Sequence, residues 1–431
     1  MTVKVIKNFT ENNSEIKQLA VIGGGASGIF AALSAARESK KTGHNIKVTI
    51  YESNPRIGKK LLVTGNGRCN FTNSDIKEDN YHGASSLAYS VYKKFDYINC
   101  CDFFKSIGII PKIDQAGRIY PMSLQASSVL DALRYDLETY GINVLCDSPV
   151  FSVERHNNGY LINNEYYADA CIIATGGKAA PVHGSNGSGF ELLRNFNISV
   201  VPVLPALSPI VCDLFPKGLK GVRAQGTVSI KVNGKVIARD TGEIQYTDFG
   251  LSGIPSMQVS GVVSRALNTS SDRVYACVDS CPALSEAELK DYICALIRSK
   301  PDMPGENLLS GIIPKKLGIT FLCDCSVNPT KKIGILSNGV IDKIVAQIKN
   351  KKYVVRSVKG FNEAQVSCGG ICSDEICFET LELKKLKNVF VCGEIVDVDG
   401  DCGGYNLQWA WSSGFVAGVN AVREINCATN K

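Results

Sequence analysis

An apolar run, Leu19-Ala20-Val21-Ile22, breaks at Gly23-Gly24-Gly25-Ala26-Ser27-Gly28 and continues as a helix-like stretch from Ile29 to Glu38. Few folds accept this. In the spacing Gly23-x-Gly25-x-x-Gly28, the first glycine permits a tight turn and the second lets backbone approach a pyrophosphate. The third lets the helix pack closely on the strand. The helix start then offers unpaired N–H groups and a positive dipole end to phosphate. By itself the pattern also fits an incidental glycine-rich turn, so its surroundings matter. Lys47-Val48-Thr49-Ile50-Tyr51-Glu52 reads as the next strand, β-branched and alternating. It delivers Glu52 24 residues after Gly28, close to the spacing of a carboxylate that accepts ribose hydroxyls. The plainer role for Glu52 is a solvated charge at a strand end.

A chain of 431 residues has room for two or three domains with sizeable cores. At 45% hydrophobic and 20% charged residues it has the make-up of a globular protein. The net charge of +6 is mild, and Lys331-Lys332 with Lys349, Lys351 and Lys352 read as solvated faces, so no nucleic-acid partner is expected. No apolar run is long enough for a membrane span. Met1 to Lys17 is polar, lacks a signal-peptide core and reads as a poorly ordered lead-in. The 17 cysteines are scattered. Cys171, Cys212 and Cys392 lie in apolar strands, where a thiol packs as a small hydrophobe. The expected location is a reducing cytoplasm. Neighbours occur at Cys100-Cys101, at Cys323 and Cys325, and at Cys368, Cys372 and Cys377; the last set could hold a metal, but three thiols without a nearby histidine make a poor metal set, and no metal is expected.

The first 200 residues alternate strand and helix. Arg56 to Asn70 is a loop dense in glycine and small polar residues, offering amides and Arg68 to something polar or anionic. Val144-Leu145-Cys146 and Pro149-Val150-Phe151 are expected to pair with a hairpin over Gly159 to Tyr167. Ala170-Cys171-Ile172-Ile173 is a buried strand ending in Ala174-Thr175-Gly176-Gly177, a turn that either approaches the dinucleotide again or simply ends a packed strand. Gly184 to Gly189 reads as a loop and helix start before Phe190 to Phe196. From about residue 200 the texture changes to short alternating strands, Thr227–Val232 and Lys235–Asp240, joined by the hairpin turn Asn233-Gly234. Between Ser285 and Leu322 the pattern is helical, opened by Ser285-Glu286-Ala287-Glu288 and repeated through Leu289, Tyr292, Ile293, Leu296 and Ile297. The last strand, Val389-Phe390-Val391, leads to Cys392-Gly393-Glu394 and a helix over Trp409 to Glu424.

The expected fold is α/β. A Rossmann-type dinucleotide-binding domain occupies residues 18–200 and is completed by 356–431. A β-rich, barrel-like substrate module over 201–355, with a small helical part near 283–322, is inserted between them. That arrangement predicts a ligand cleft between the two parts.

On these motifs the chain resembles the bacterial flavoprotein family of aminoacetone-oxidase-like and 3-dehydro-bile-acid Δ4,6-reductase-like proteins. The resemblance spans about residues 18 to 425. It rests on Val21 to Gly28, on Gly58-Lys59-Lys60 through Gly65-Asn66-Gly67-Arg68-Cys69-Asn70-Phe71-Thr72-Asn73, on Ala174 to Gly177, and on Phe249 to Pro255. Its most specific pieces are Gly393-Glu394-Ile395-Val396-Asp397-Val398-Asp399-Gly400 and Gly403-Gly404-Tyr405-Asn406-Leu407-Gln408-Trp409-Ala410-Trp411, which look like the returning half of a flavin site. The resemblance implies extended FAD. Gly23, Gly25, Ala26, Ser27 and Gly28 would meet its pyrophosphate, Glu52 the adenosine ribose, and backbone at Val150 the adenine. Lys60, Asn66, Gly67, Arg68, Cys69 and Asn70, with Gly404, Asn406 and Leu407, would surround the flavin ring and ribityl chain. Thr175, Gly176 and Gly393 would line the cofactor, and Asp397 would approach the phosphate–ribityl region. The chain departs from the family pattern at Cys368 and Cys402, where small or hydroxyl residues are usual, and at Asp248, where histidine is frequent.

The expected activity is reduction of a carbon–carbon double bond conjugated to a ketone in a steroid-like or other apolar small molecule, with NADH or NADPH as transient electron donor. A second dinucleotide fingerprint is lacking, so that donor is expected to dock briefly against the flavin. Tyr246, Asp248 and Tyr405 are candidate proton donors, although each residue type more often serves a structural hydrogen bond. One alternative is an aminoacetone-type oxidase using dioxygen. Another, of a different class, is a flavin-binding partner in RNA modification or a redox sensor.

Overall fold

Lys17–Ile22 (β1), Ile46–Tyr51 (β2), Asn143–Leu145 (β3), Ala170–Ile173 (β4) and Val389–Val391 (β5) form one parallel sheet in the order β5-β4-β1-β2-β3. Val21, Ile50, Ile172 and Phe390 lie side by side across it, and all are fully buried. A parallel sheet covered on both faces needs such unbroken apolar strands, which is why β1 and β4 read as apolar runs and not as alternating ones. The computed structural model describes residues 16–269 and 272–427. The expected lead-in therefore lies outside the described residues up to residue 15, and Lys17 already opens β1.

The sheet belongs to one of two compact units, made of residues up to Val203 and from Val366 on. Ala26–Thr42 (α1) follows β1, and Tyr405–Cys427 (α2) packs along it. The close crossing is permitted by Gly414 and Gly418 on α2. A Cβ on Gly414 would lie 2.6 Å from the Ser27 carbonyl oxygen, and one on Gly418 would collide with the Ala31 carbonyl. Arg423 then donates from Nε (2.8 Å) to buried Glu38 Oε1, which ties the far ends of the two helices together. The C-terminus thus supplies both a strand and a covering helix, as the sequence predicts.

One expected pairing is different. Asn143–Leu145 is the edge strand β3, parallel to β2, and the hairpin over Gly159 to Tyr167 pairs with Val153–His156. Val144 and Leu145 match β2's apolar residues in register, Ile50 with Val144 and Tyr51 with Leu145, so the large sheet claims them. The final helix starts at Tyr405, four residues before the expected Trp409.

The second unit, Leu204–Gln365, is a closed antiparallel barrel. Its strands run Ile210–Cys212, Gly250–Ser252, Lys235–Tyr246, Arg223–Val232, Val274–Asp279 and Lys351–Val358, the last pairing back to the first. Asn233 and Gly234 both take positive φ (51° and 78°), which a two-residue hairpin turn requires. Helices Glu286–Ser299, Lys315–Asp324 and Asn338–Asn350 complete the unit. The first carries the expected capping box, with Glu288 N donating to Ser285 Oγ and Ser285 N donating to Glu288 Oε2. The third lies beyond the expected helical part. Among the described residues no helix is long and apolar enough to cross a membrane.

Candidate functional site

The turn after β1 divides its work among three glycines. Gly23 has φ +107°, and a Cβ there would lie 2.5 Å from the Ala174 carbonyl oxygen. A Cβ on Gly28 would collide with the Gly23 carbonyl. These two are packing glycines. Around Gly25 a Cβ would meet nothing within 4 Å, so the backbone faces open space at the start of α1. Gly25 is the N-cap and no side chain caps the helix. Ala26 and Ser27 follow in the first turn, and no acidic residue there competes for an anion. The N–H groups and dipole end are available to phosphate.

Glu52 is buried at the end of β2. Its Oε2 accepts from Gly24 N (2.8 Å) and its Oε1 from Asn54 N (2.8 Å) and Asn54 Nδ2 (2.6 Å). The strand-end carboxylate is therefore tied directly to the glycine turn. Glu52 and Asn54 also hold the segment leading to Val150, through Ser148 N to Glu52 O (2.8 Å) and Asp147 N to Asn54 O (3.1 Å). At the end of β4, Gly176 takes φ +73° and Thr175 Oγ1 is buried without a partner.

The loop of residues 65–70 is conformationally unusual. Gly65, Asn66, Gly67 and Cys69 all have positive φ, and Cys69 is the costly one because its Cβ resists that region. Burial pushes the Cys69 thiol up to about 12, so it is a packed thiol and not a nucleophile. Asn66, Gly67 and Arg68 are exposed, with the Arg68 guanidinium 5.7 Å from the Tyr120 ring centre. Asn70 is buried, and its Oδ1 has no partner. It is wedged between two glycines: a Cβ on Gly65 would lie 2.7 Å from Asn70 N, and one on Gly404 would lie 3.0 Å from Asn70 Oδ1. That buried acceptor is unused by the protein, so its lone pairs are open to a donor from water or a bound molecule.

The C-terminal motif closes around the same corner. Gly393 (φ +77°) abuts Ser27, and its N–H donates to Ser413 Oγ (2.9 Å). Glu394, which the motif reading passed over, takes Lys60 Nζ at 2.9 Å on one oxygen and Ser367 N at 2.8 Å on the other. Ser367 Oγ in turn accepts from Lys178 N and Ala179 N. Lys60 is thus an ion-pair partner that joins the loop of residues 56–70 to the strand-end turn of β5. The available signal for Glu394 was an acid directly after a strand-ending glycine. Asp397 sits against Gly83, whose missing Cβ leaves room for its carboxylate. Asn406 uses its amide on its own turn, accepting from Gly400 N (2.8 Å) and donating to Gly400 O (2.7 Å). Leu407 is half-buried against the core.

The three candidate proton donors divide between the units, Tyr405 in the first and Tyr246 and Asp248 in the second. Tyr405, in the first unit, donates to Asp75 O (3.3 Å), and burial raises its phenol. Tyr246 is 0% exposed in the barrel core, stacked near Phe215, and burial pushes it up to about 12. Asp248 is on the surface with Lys220 Nζ at 2.9 Å, and that hydrogen bond holds its carboxyl below the ordinary range. A carboxylate kept ionised this way accepts protons poorly and has none to give at neutral pH. Among the described residues no three His, Cys, Asp or Glu side chains gather as a metal set.

The family described as HI0933-like protein Rossmann domain matches residues 17–420. The 3-dehydro-bile acid delta(4,6)-reductase of Clostridium scindens is 35% identical over 408 residues, which cover 94% of this chain and 98% of the relative. The ribosomal RNA dihydrouridine synthase of Haemophilus influenzae is 26% identical over 426 residues, covering 95% of this chain and 100% of the relative. Among solved structures, the open conformation of a flavocytochrome c3 fumarate reductase aligns with a TM-score of 0.47 at 16% identity, over 96% of this chain and 79% of that chain.

Proposed function

The chain belongs to the HI0933-like Rossmann family, and from that membership we propose that it is an FAD-dependent oxidoreductase reducing a carbon–carbon double bond conjugated to a carbonyl. The observation that carries the reading is a set of features held in one unit: the open helix start at Gly25, buried Glu52, and the partnerless Asn70 Oδ1 beside Gly404. The residues fit the cofactor. Gly25, Ala26 and Ser27 would hold the pyrophosphate and Glu52 the adenosine ribose, with Val150 backbone near the adenine. Asn70 suits a hydrogen-bond donor of the flavin ring or ribityl chain. Thr175 Oγ1, equally without a partner, suits another polar group of the cofactor. The chemistry supplied by bound FAD is hydride exchange at its ring.

The chain's own task is then to hold that ring against an apolar enone, exclude water and deliver a proton to the α-carbon. Tyr405 is the donor candidate that shares a unit with the cofactor motifs. NADH or NADPH is the electron source in this reading, and a steroid-like 3-oxo diene the substrate, by likeness to the Clostridium relative. The test is anaerobic. NADH or NADPH bleaches the visible flavin absorbance, and addition of a 3-oxo-4,6-diene bile acid restores it. A reduced flavin that no conjugated enone reoxidises sinks the reading.

The dihydrouridine synthase relative favours a second substrate for the same chemistry. The uracil 5,6 double bond is also conjugated to a carbonyl, so uridine in RNA calls for hydride at a β-carbon as a dienone does. Formation of dihydrouridine in ribosomal RNA by the reduced protein, measured by mass spectrometry beside the dienone assay, separates the two. Peroxide production from an aminoketone in air would instead favour the oxidase alternative.

A further inference from the structure

We propose that Asn54 is a positioning residue that sets the affinity of the site for the adenosine half of FAD, and thereby its preference for FAD over FMN. The proposal rests on the FAD reading above.

Asn54 lies two residues past the end of β2's carboxylate position. Both of its N–H groups, main-chain at 2.8 Å and side-chain at 2.6 Å, donate to Glu52 Oε1, which also lies 3.3 Å from Ser53 Oγ. A carboxylate oxygen has two lone pairs. Oε1 is therefore saturated from within the protein. Oε2 takes Gly24 N alone and keeps one lone pair for an incoming hydroxyl. The carboxylate torsion of a glutamate is otherwise broad and roughly two-fold. Asn54 selects the orientation that turns Oε2 toward the glycine turn, and such preorganisation raises affinity by removing an ordering cost from binding.

Two further contacts make Asn54 a junction. Its carbonyl accepts from Asp147 N at 3.1 Å, on the segment that runs to Val150. Its amide also packs against Gly184 (φ +110°), where a Cβ would lie 2.5 Å from Asn54 Nδ2. The strand end, the segment leading to Val150 and the glycine-rich loop after Gly176 thus meet on one residue, the first and last of them at its side chain. The first two belong to the adenosine end of the site in the FAD reading. A purely architectural asparagine would stabilise this corner without discriminating between flavins.

The experiment titrates the full-length protein, freed of flavin, with FAD and with FMN, reading flavin fluorescence. Asn54→Ala removes the one side-chain hydrogen bond to Glu52 and keeps the main-chain one, and losing a bond to a charged group predicts FAD binding weakened about tenfold to hundredfold. FMN, which lacks the adenosine, stays within about twofold. Gly184→Ala is an independent route, since its methyl group pushes the Asn54 amide off Glu52, and it predicts the same selective loss. FAD affinity unchanged in both variants overturns the proposal, as does an equal loss for FMN, which marks a structural role only. A wild-type protein that binds no FAD removes the functional reading itself, a result distinct from a wild type that binds FAD and an Asn54→Ala variant that matches it.

Discussion

The two glycine-rich regions that look alike in sequence work differently in the fold. Residues 23–28 spend one glycine on openness and present bare backbone at the start of α1. Residues 403–411 spend nearly everything on the chain itself. Gln408 is 0% exposed, accepts from Thr72 Oγ1 and donates to Phe95 O and Ser412 Oγ. Trp409 Nε1 donates to Gly393 O (3.0 Å) and Trp411 Nε1 to Phe71 O (2.9 Å). Asn406 closes its own turn. What the second motif leaves for a ligand is main chain near Gly404, beside Asn70. A long, specific motif can therefore be mostly a docking device. Its side chains bring the chain's last helix onto the segment of residues 65–73 and so build the corner that a ligand sees.

The sharpest way to break this comparison is Gly28→Ala. The added methyl group collides with backbone that cannot yield cheaply, so a stability loss of about 3 kcal/mol or more is expected, with loss of retained flavin. Urea unfolding together with the flavin-to-protein absorbance ratio measures both. Next comes Gln408→Leu, which takes the close acceptor from the buried Thr72 hydroxyl and leaves the Phe95 carbonyl with Ser412 Oγ as its remaining side-chain donor. The expected cost is about 2–4 kcal/mol, with flavin affinity of the folded protein changed by less than about threefold. A tenfold affinity loss at unchanged stability would show that the second region contacts the ligand through its side chains after all.

Lys60→Met tests the bridge between the loop of residues 56–70 and the turn after β5, which flanks both regions. Lys60 and Glu394 are partly buried, so the pair is worth about 1 kcal/mol, screened only weakly by salt, and a double-mutant cycle with Glu394→Gln isolates that coupling. The smallest effect is expected for Arg68→Ala, because the side chain is exposed. Melting should report a change within about 0.5 kcal/mol. A normal melt combined with altered reoxidation by substrate would assign Arg68 to the ligand side of the loop.

Much of the first unit was legible because its signals are local. Glycine spacing, a strand that ends in an acid, and apolar runs buried on both faces each follow from a few consecutive residues. The hairpin at Asn233-Gly234 and the capping box at Ser285 were legible for the same reason. Val144 and Leu145 were not, since a three-residue apolar segment fits a hairpin or a parallel edge equally well, and only the register with Ile50 and Tyr51 decides. Glu394 was hidden because its partners, Lys60 and Ser367, are remote in sequence. Asn54 carries no motif at all, and its role depends on where Glu52, Asp147 and Gly184 meet.

What the linear chain determined alone was the class of fold and the place of the glycine turn after β1, since backbone freedom at glycine and the periodicity of apolar residues are properties of short segments. Which polar groups the protein satisfies internally and which it leaves without a partner was decided only by tertiary structure. A hydrogen bond is a matter of distance and direction, and chain neighbours do not supply either for residues hundreds of positions apart.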